Sequence, residues 1–282
     1  MMKIGLVSDS PTDLSEELVD RYRIQVVPAI LVLDDQAYQD GIEITRSEFY
    51  ERLPLLRRSP STAAPSGESM AARYQALLNA GCEHVIGIFT AEKLTAIADI
   101  ARKTAEEFAG KISVIESGSL SMGTGYQVLA AAEGIEQGQP LTEILQAIQS
   151  VRQRTHTYAA LDTVEYLRRS GRVPQAAATL GSLLSIKPIV ELREGIVKPV
   201  DAPRTTRKAT EKLFDILAGL GPLERLSILH TNAEQRAREF LDRLANIRQN
   251  LPADIHIVNV TTVIGTHVGP HGLGFAAVRR EK

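Results

Sequence analysis

A single cysteine, Cys82, stands in 282 residues. That excludes an internal disulfide framework and any cysteine-based zinc cluster, and it suits a reducing compartment. An excess of one charge is also missing. Against 32 Lys and Arg stand 34 Asp and Glu, for a net charge of −2. The basic face that nucleic acid requires is therefore not expected, and no helix-turn-helix signal accompanies it. No apolar run approaches the ~18 residues of a membrane span. The opening "MMKIGLVSDSPTDL" has too short an apolar run for a signal peptide and meets acid at Asp9. The expectation is a soluble, cytoplasmic chain. No Lys-Ser/Thr pair follows the glycines at 118, 123 and 125, so a Walker phosphate loop is excluded. No serine sits in a Gly-x-Ser-x-Gly elbow. His84, His156, His230 and His256 lack metal-ligand spacing, and neither metal nor cofactor is expected.

What is present is alternation. "KIGLVSDS" reads as a buried strand, and "LSEELVDRY" as an amphipathic helix with Thr12 or Asp13 as its N-cap. "IQVVPAILVLDDQAYQDG" reads as strand, Asp-Asp turn, strand. "RRSPSTAAPSG" reads as a loop, "ESMAARYQALLNAG" as a helix stopped by Gly81, "HVIGIF" as a strand. "LTAIADIARKTAEEFAG", "KISVIES" and "GYQVLAAAEGIEQG" continue the pattern as helix, strand, helix. The fold class is α/β, with a Rossmann-like parallel-sheet domain over about 1–150. The second half, 151–282, reads as a smaller mixed α/β domain. It contains a hairpin around Glu194-Gly195, a buried apolar segment "AAATLGSLLSI", and a strand "IHIVNVTTVI" before the closing loop.

Chemistry is sought at strand ends, where open α/β sheets place ligands. Ser8-Asp9-Ser10 is read as a capping turn at even weight with a site; phosphoryl transfer would want a second carboxylate where Pro11 stands. Thr62 in "STAAPS" and Thr95 after "GIFTAEKL" are hydroxyls at loop positions that alone would count as structural. His267 lies in "GTHVGPHGLG", between two apparent strands. Gly265 and Gly269 let the backbone approach closely or take φ > 0 there, and such a loop can aim an imidazole into a cleft.

The motifs acquire meaning in combination. "SDSPTDL", "TAAPS", "DTVEYLRRSGRV", "GSLLSIKPIVELREGIVKPV", "RTTRKA" and "GTHVGPHGLG", in this order, resemble the DegV family of bacterial fatty-acid-binding proteins across the whole chain. The resemblance implies two α/β domains with one long-chain fatty acid, such as palmitate, between them. It implies a non-catalytic subunit of phospholipid metabolism that presents the acid to a separate fatty acid kinase. By matching position, Thr62, Thr95 and His267 would hold the carboxylate, and Arg172 would stand near the head group. The family pattern has Ser where this chain has Ala63 and Ala91, Gly where it has Ala96, and Thr where it has Ile97, leaving fewer polar groups around the site. The apolar segments 120–135 and "AAATLGSLLSI" are candidate tunnel walls.

The energetics of such a ligand are simple. About 15 buried carbons at ~0.8 kcal/mol each give roughly 12 kcal/mol of gross transfer free energy, from which association entropy takes a large share. The carboxylate needs hydrogen-bond donors, because burying it alone costs several kcal/mol. The arginine-rich stretches "RRSGR" and "RTTRK" would suit a kinase-docking face or transient contact with a membrane surface. The competing reading is a stand-alone hydrolase or transferase on an acyl or phosphorylated small molecule, with His267 as general base.

Overall fold

A computed structural model describes residues 2–171 and 186–281. Three sheets organise it. The first is all parallel, in the order β2 (Gln25–Val27), β1 (Ile4–Asp9), β6 (His84–Phe89) and β7 (Ile112–Glu116). Every residue of β1 is buried, as expected of a parallel strand covered on both faces. Ile4 and Leu6 face α5 (Met122–Glu136), while Val7 faces α3 (Gly67–Asn79) and α4 (Ile97–Ala105).

The second sheet has six strands. Its order is β10 (Ile196–Asp201), β9 (Ile189–Arg193), β8 (Thr155–Ala160), β13 (Leu273–Arg279), β11 (Leu223–His230) and β12 (Ile255–Asn259). Only β11 and β12 pair in parallel. One face packs on α8 (Thr206–Gly219) and α9 (Glu234–Arg243); the other, through Leu229, Ala276 and Val278, meets the core that contains α5. All six strands follow residue 150, and the parallel sheet precedes it.

Helix α5 is therefore sandwiched between the two sheets, and 12 of its 15 residues are buried. A helix covered on nearly all sides must be largely apolar or small, and "MGTGYQVLAAAEGIE" is, with the buried Gln127 amide donating to Ser117 O and Gly123 O. Tyr126 Oη and Ser227 Oγ hydrogen-bond at 2.6 Å across to β11. The bidentate Arg225–Glu133 ion pair ties the other end. Helix α6 (Leu141–Arg154) closes the side of α5 with Ile144, Ile148 and Val151.

The third sheet is a small antiparallel one, β4 (Gln36–Gln39), β3 (Ile30–Leu33), β5 (Ser61–Ala63), backed by Phe49 and Tyr50 of α2 (Arg46–Arg52). The Asp34-Asp35 turn has both residues at positive φ, as a tight hairpin requires. The expected loop at 61–63 is instead a strand, because Thr62 pairs with Leu31.

Two further expectations change. Helix α1 (Glu16–Tyr22) is capped by Ser15, not by Thr12 or Asp13; the Ser15 hydroxyl accepts from the Leu18 N–H, and the other two are buried elsewhere. The strand expected to run through "IHIVNVTTVI" stops at Asn259, and Thr262–Val268 form a short helix, α10. His267 thus sits on a helix rather than in a loop. The glycine expectation holds in altered form. Gly269 ends α10 at φ 76°. Gly265 lies so close to α2 that a Cβ there would be 2.5 Å from Tyr50 Oη.

Candidate functional site

A cavity of about 360 Å³ lies where the three sheets meet. Its floor is the six-stranded sheet, through Ala159 of β8, Gly274 of β13 and Leu229 of β11. The β9–β10 hairpin supplies Leu192 and Val197. Helix α10 supplies Val263, Ile264, His267 and Val268; β5 supplies Thr62 and Ala63; the lead-in to α4 supplies Leu94, Thr95 and Ala96. Among the described residues, no Asp, Glu, Lys or Arg lines it. The segment expected as tunnel wall at 120–135 contributes only Leu120 and Ser121; the body of α5 is core. Most of "AAATLGSLLSI" lies outside the described residues.

Thr62, Thr95 and His267, chosen from three separate stretches, all line this one cavity. Thr62 Oγ1 and His267 Nε2 hydrogen-bond at 3.0 Å. Arg172 lies outside the described residues. Of the four departures, Ala63, Ala96 and Ile97 line the cavity, whereas Ala91 does not. Ala91 packs beneath the tip of the β9–β10 hairpin, where its Cβ is 3.2 Å from the position a Cβ on Gly195 would take. That tip is docked on the parallel-sheet side: the Gly195 N–H donates to Gly118 O at 2.8 Å, and Lys93 Nζ to Glu194 O at 3.2 Å.

The sequence gives no sign of the groups that hold the rim. Ser121 carries φ 53° and ψ −147°, a region that non-glycine residues rarely occupy. Its hydroxyl donates to Asp13 Oδ2 at 2.5 Å. Asp9, at the end of β1, is fully buried; its Oδ2 accepts the Thr90 N–H at 2.9 Å and its Oδ1 the Thr90 hydroxyl at 3.1 Å. Burial pushes its carboxyl up to about 7 against those bonds, and burial pushes Asp13 up to about 6 against the nearby Arg46 guanidinium. The motif "SDSPTDL" points at this corner; nothing in it points at Thr90 or Ser121.

His230 and Thr231 also line the cavity. Both are structurally engaged: His230 Nδ1 accepts the Ala233 N–H at 3.1 Å, and Thr231 Oγ1 accepts the Gly272 N–H at 2.6 Å. Desolvation lowers the His230 pKa, which favours the neutral ring that this bond needs.

Comparison with known proteins settles what kind of chain this is. The family model described as "Uncharacterised protein, DegV family" matches residues 3–280. The chain belongs to the DegV family. A DegV domain-containing protein of Streptomyces coelicolor is 33% identical, over 98% of this chain and 99% of that one. Among solved structures, a DegV family protein from Thermus thermophilus, described by its fatty acid binding, superposes with a TM-score of 0.91 at 30% identity, covering 99% of this chain and 100% of that one. A fatty acid binding DegV family protein from Streptococcus agalactiae gives 0.90 at 25% identity, with complete coverage of both chains. The two-domain α/β architecture is thus that of DegV structures.

Proposed function

We propose that this DegV chain binds one long-chain fatty acid in the cavity between its sheets, with the carboxylate at Thr62, Thr95 and His267. The observation that carries the reading is the Thr62–His267 hydrogen bond on the wall of an otherwise mostly apolar cavity. The volume of about 360 Å³ falls in the range of small-molecule sites, ~300–1,000 Å³. An acyl chain takes its affinity from apolar burial, and this wall offers Leu, Val, Ile and Ala from both halves of the molecule. The carboxylate takes its orientation from the hydroxyls and the imidazole. The solved relatives named for fatty acid binding support the same ligand. By extension from the family, the chain is non-catalytic and presents the bound acid to a separate fatty acid kinase, with Arg172 near the head group.

The test is native mass spectrometry of the purified protein, then solvent extraction and identification of what it carried. One long-chain fatty acid per chain is the expected result. An empty protein that also refuses added palmitate overturns the reading. His267→Ala and Thr62→Val should each weaken palmitate binding by roughly tenfold, the loss of about one charge-assisted or buried hydrogen bond.

The Thr62–His267 pair also has the spacing of a hydroxyl nucleophile and its base. Among the described residues no carboxylate lines the cavity. Turnover of acyl esters or acyl phosphates by the purified chain alone would favour that enzyme reading over a carrier.

A further inference from the structure

Helix α10 presents His267 to the cavity, yet its sequence is a poor helix. "TVIGTHV" holds five β-branched residues and a glycine among seven, a composition that favours strand. Nothing on the helix itself caps its start: Thr261 stands at the N-cap without a side-chain cap bond. The support comes from elsewhere, and it converges on four consecutive residues.

Arg46 Nη1 donates to Asn259 O. Tyr50 Oη donates to Val260 O at 3.2 Å. The Thr261 N–H donates to Asp13 Oδ1 at 2.7 Å. The Thr262 hydroxyl donates to Asp40 Oδ1 at 2.7 Å. All four partners come from the first 50 residues and reach the last 25 residues of the chain. Asp13 and Asp40 are both buried, at 2% exposure each. Buried carboxylates at a helix start complement the helix dipole, and they replace the missing cap with charge-assisted bonds.

Asp40 is the more telling of the two. Its Oδ2 is buried and has no hydrogen-bond partner among the described residues. A buried carboxylate with an unmet oxygen is a standing cost. Its backbone makes an isolated bridge to Ile44 and its N–H bonds Ala29 O; its carboxylate holds the Thr262 hydroxyl and adds like-charge repulsion on Asp9 and Asp13.

We propose that Asp13 and Asp40 are positioning residues for His267. They fix the first turn of α10, with Arg46 and Tyr50 fixing the approach to it, and thereby set where the imidazole meets Thr62 and the ligand head group. Neither carboxylate lines the cavity, so neither touches the ligand. The inference rests on the fatty-acid reading above.

A double-mutant cycle tests it. Dissociation constants for palmitate are measured on the delipidated protein for Asp40→Asn and Asp13→Asn, each alone and each combined with His267→Ala. Asn keeps the size of Asp and an acceptor oxygen, so the fold is preserved while the charge is lost. The expected result is strong coupling, because residues acting through one another are not additive. Asp40→Asn should weaken palmitate roughly fivefold in the wild type and less than about twofold on top of His267→Ala. Thr262→Val should reproduce the loss and Thr262→Ser should restore it, which a general effect on stability would not do. Equal factors in both backgrounds overturn the positioning role and leave the fatty-acid reading standing. Wild-type affinity in His267→Ala removes His267 from the head-group site and overturns the positioning role, whereas no palmitate binding by the wild type overturns the fatty-acid reading itself.

Discussion

The Asp9 carboxylate is fully buried, and both of its oxygens accept bonds from Thr90. Those bonds favour the charged form, yet burial outweighs them and lifts the pKa to about 7, well above the ordinary carboxylate value. A folded-state pKa above the unfolded one means the native state holds the proton over a range where the unfolded chain has lost it. The stability this gives is full below about pH 4 and is lost as pH rises towards 7. Asp13, lifted to about 6, acts in the same direction. The melting temperature should therefore be higher at pH 5.5 than at pH 8. Asp9→Asn keeps the size and can bond Thr90 with both amide atoms, so it should raise stability at pH 8 and flatten the profile between the two. Thermal melts by circular dichroism across pH 5–8 read this directly. A wild-type melting temperature that climbs steadily from pH 5.5 to 8 would show that these carboxylates are not desolvated as described. The sequence marked Asp9 and Asp13 only as members of "SDSPTDL". Their partners Thr90, Ser121 and Thr261 stand 81, 108 and 248 residues away, and no local pattern encodes such pairings.

At the scale of elements, β1, β6 and β7 and the helices between them are legible, because each is long enough to show its period, whereas the one strand read before the Asp-Asp turn is two, β2 in the parallel sheet and β3 in the small one. The misreadings fall on short pieces whose structure is imposed by contacts. β5 has three residues and exists because Thr62 and its neighbours pair with β3. α10 has the composition of a strand and is helical because Asp13, Asp40 and α2 hold its start and α2 packs its side. Gly265 shows how tight that packing is. A Cβ on it would come within 2.5 Å of Tyr50 Oη and 2.8 Å of Phe49 Cε1. Both rings are buried in the core behind the small sheet, so neither can swing away freely. Gly265→Ala should therefore cost about 1–3 kcal/mol despite raising helix propensity. Urea denaturation measures it. A neutral or stabilising outcome would mean that α10 can slide off α2 without loss, and that the clamp on its start is slack.

At the scale of the molecule, the cavity is lined from the six-stranded sheet, from β5 and α10 and from the lead-in to α4, and Leu120 and Ser121, just ahead of α5, reach the same lining. Three stretches that span 205 residues, from Thr62 to His267, meet there, so the sequence could supply Thr62, Thr95 and His267 as separate hydroxyl and imidazole positions but not their common wall. The outer side of that wall includes α7 (Glu165–Arg169), which packs on α10. Tyr166 fills the space over Gly269, where a Cβ would meet its ring at 2.3 Å, and Leu167 lines the cavity. The same short helix turns Arg168 and Arg169 to solvent. Arg169 is engaged with Glu165 and with the Ser59 hydroxyl ahead of β5. Arg168 is therefore the cleaner probe of whether this face meets a partner. In a chain of net charge −2, an exposed arginine pair over the site offers local positive potential to an acidic docking surface, and interactions of that kind act mainly on association. On the proposed reading, Arg168→Glu should leave the palmitate dissociation constant within about twofold and lower the rate at which the kinase phosphorylates the presented acid by roughly tenfold at low salt, with the difference shrinking as salt screens it. Equal phosphorylation rates in wild type and variant, at unchanged palmitate affinity, would move kinase docking to another face and leave the α7 arginines as solvated charge.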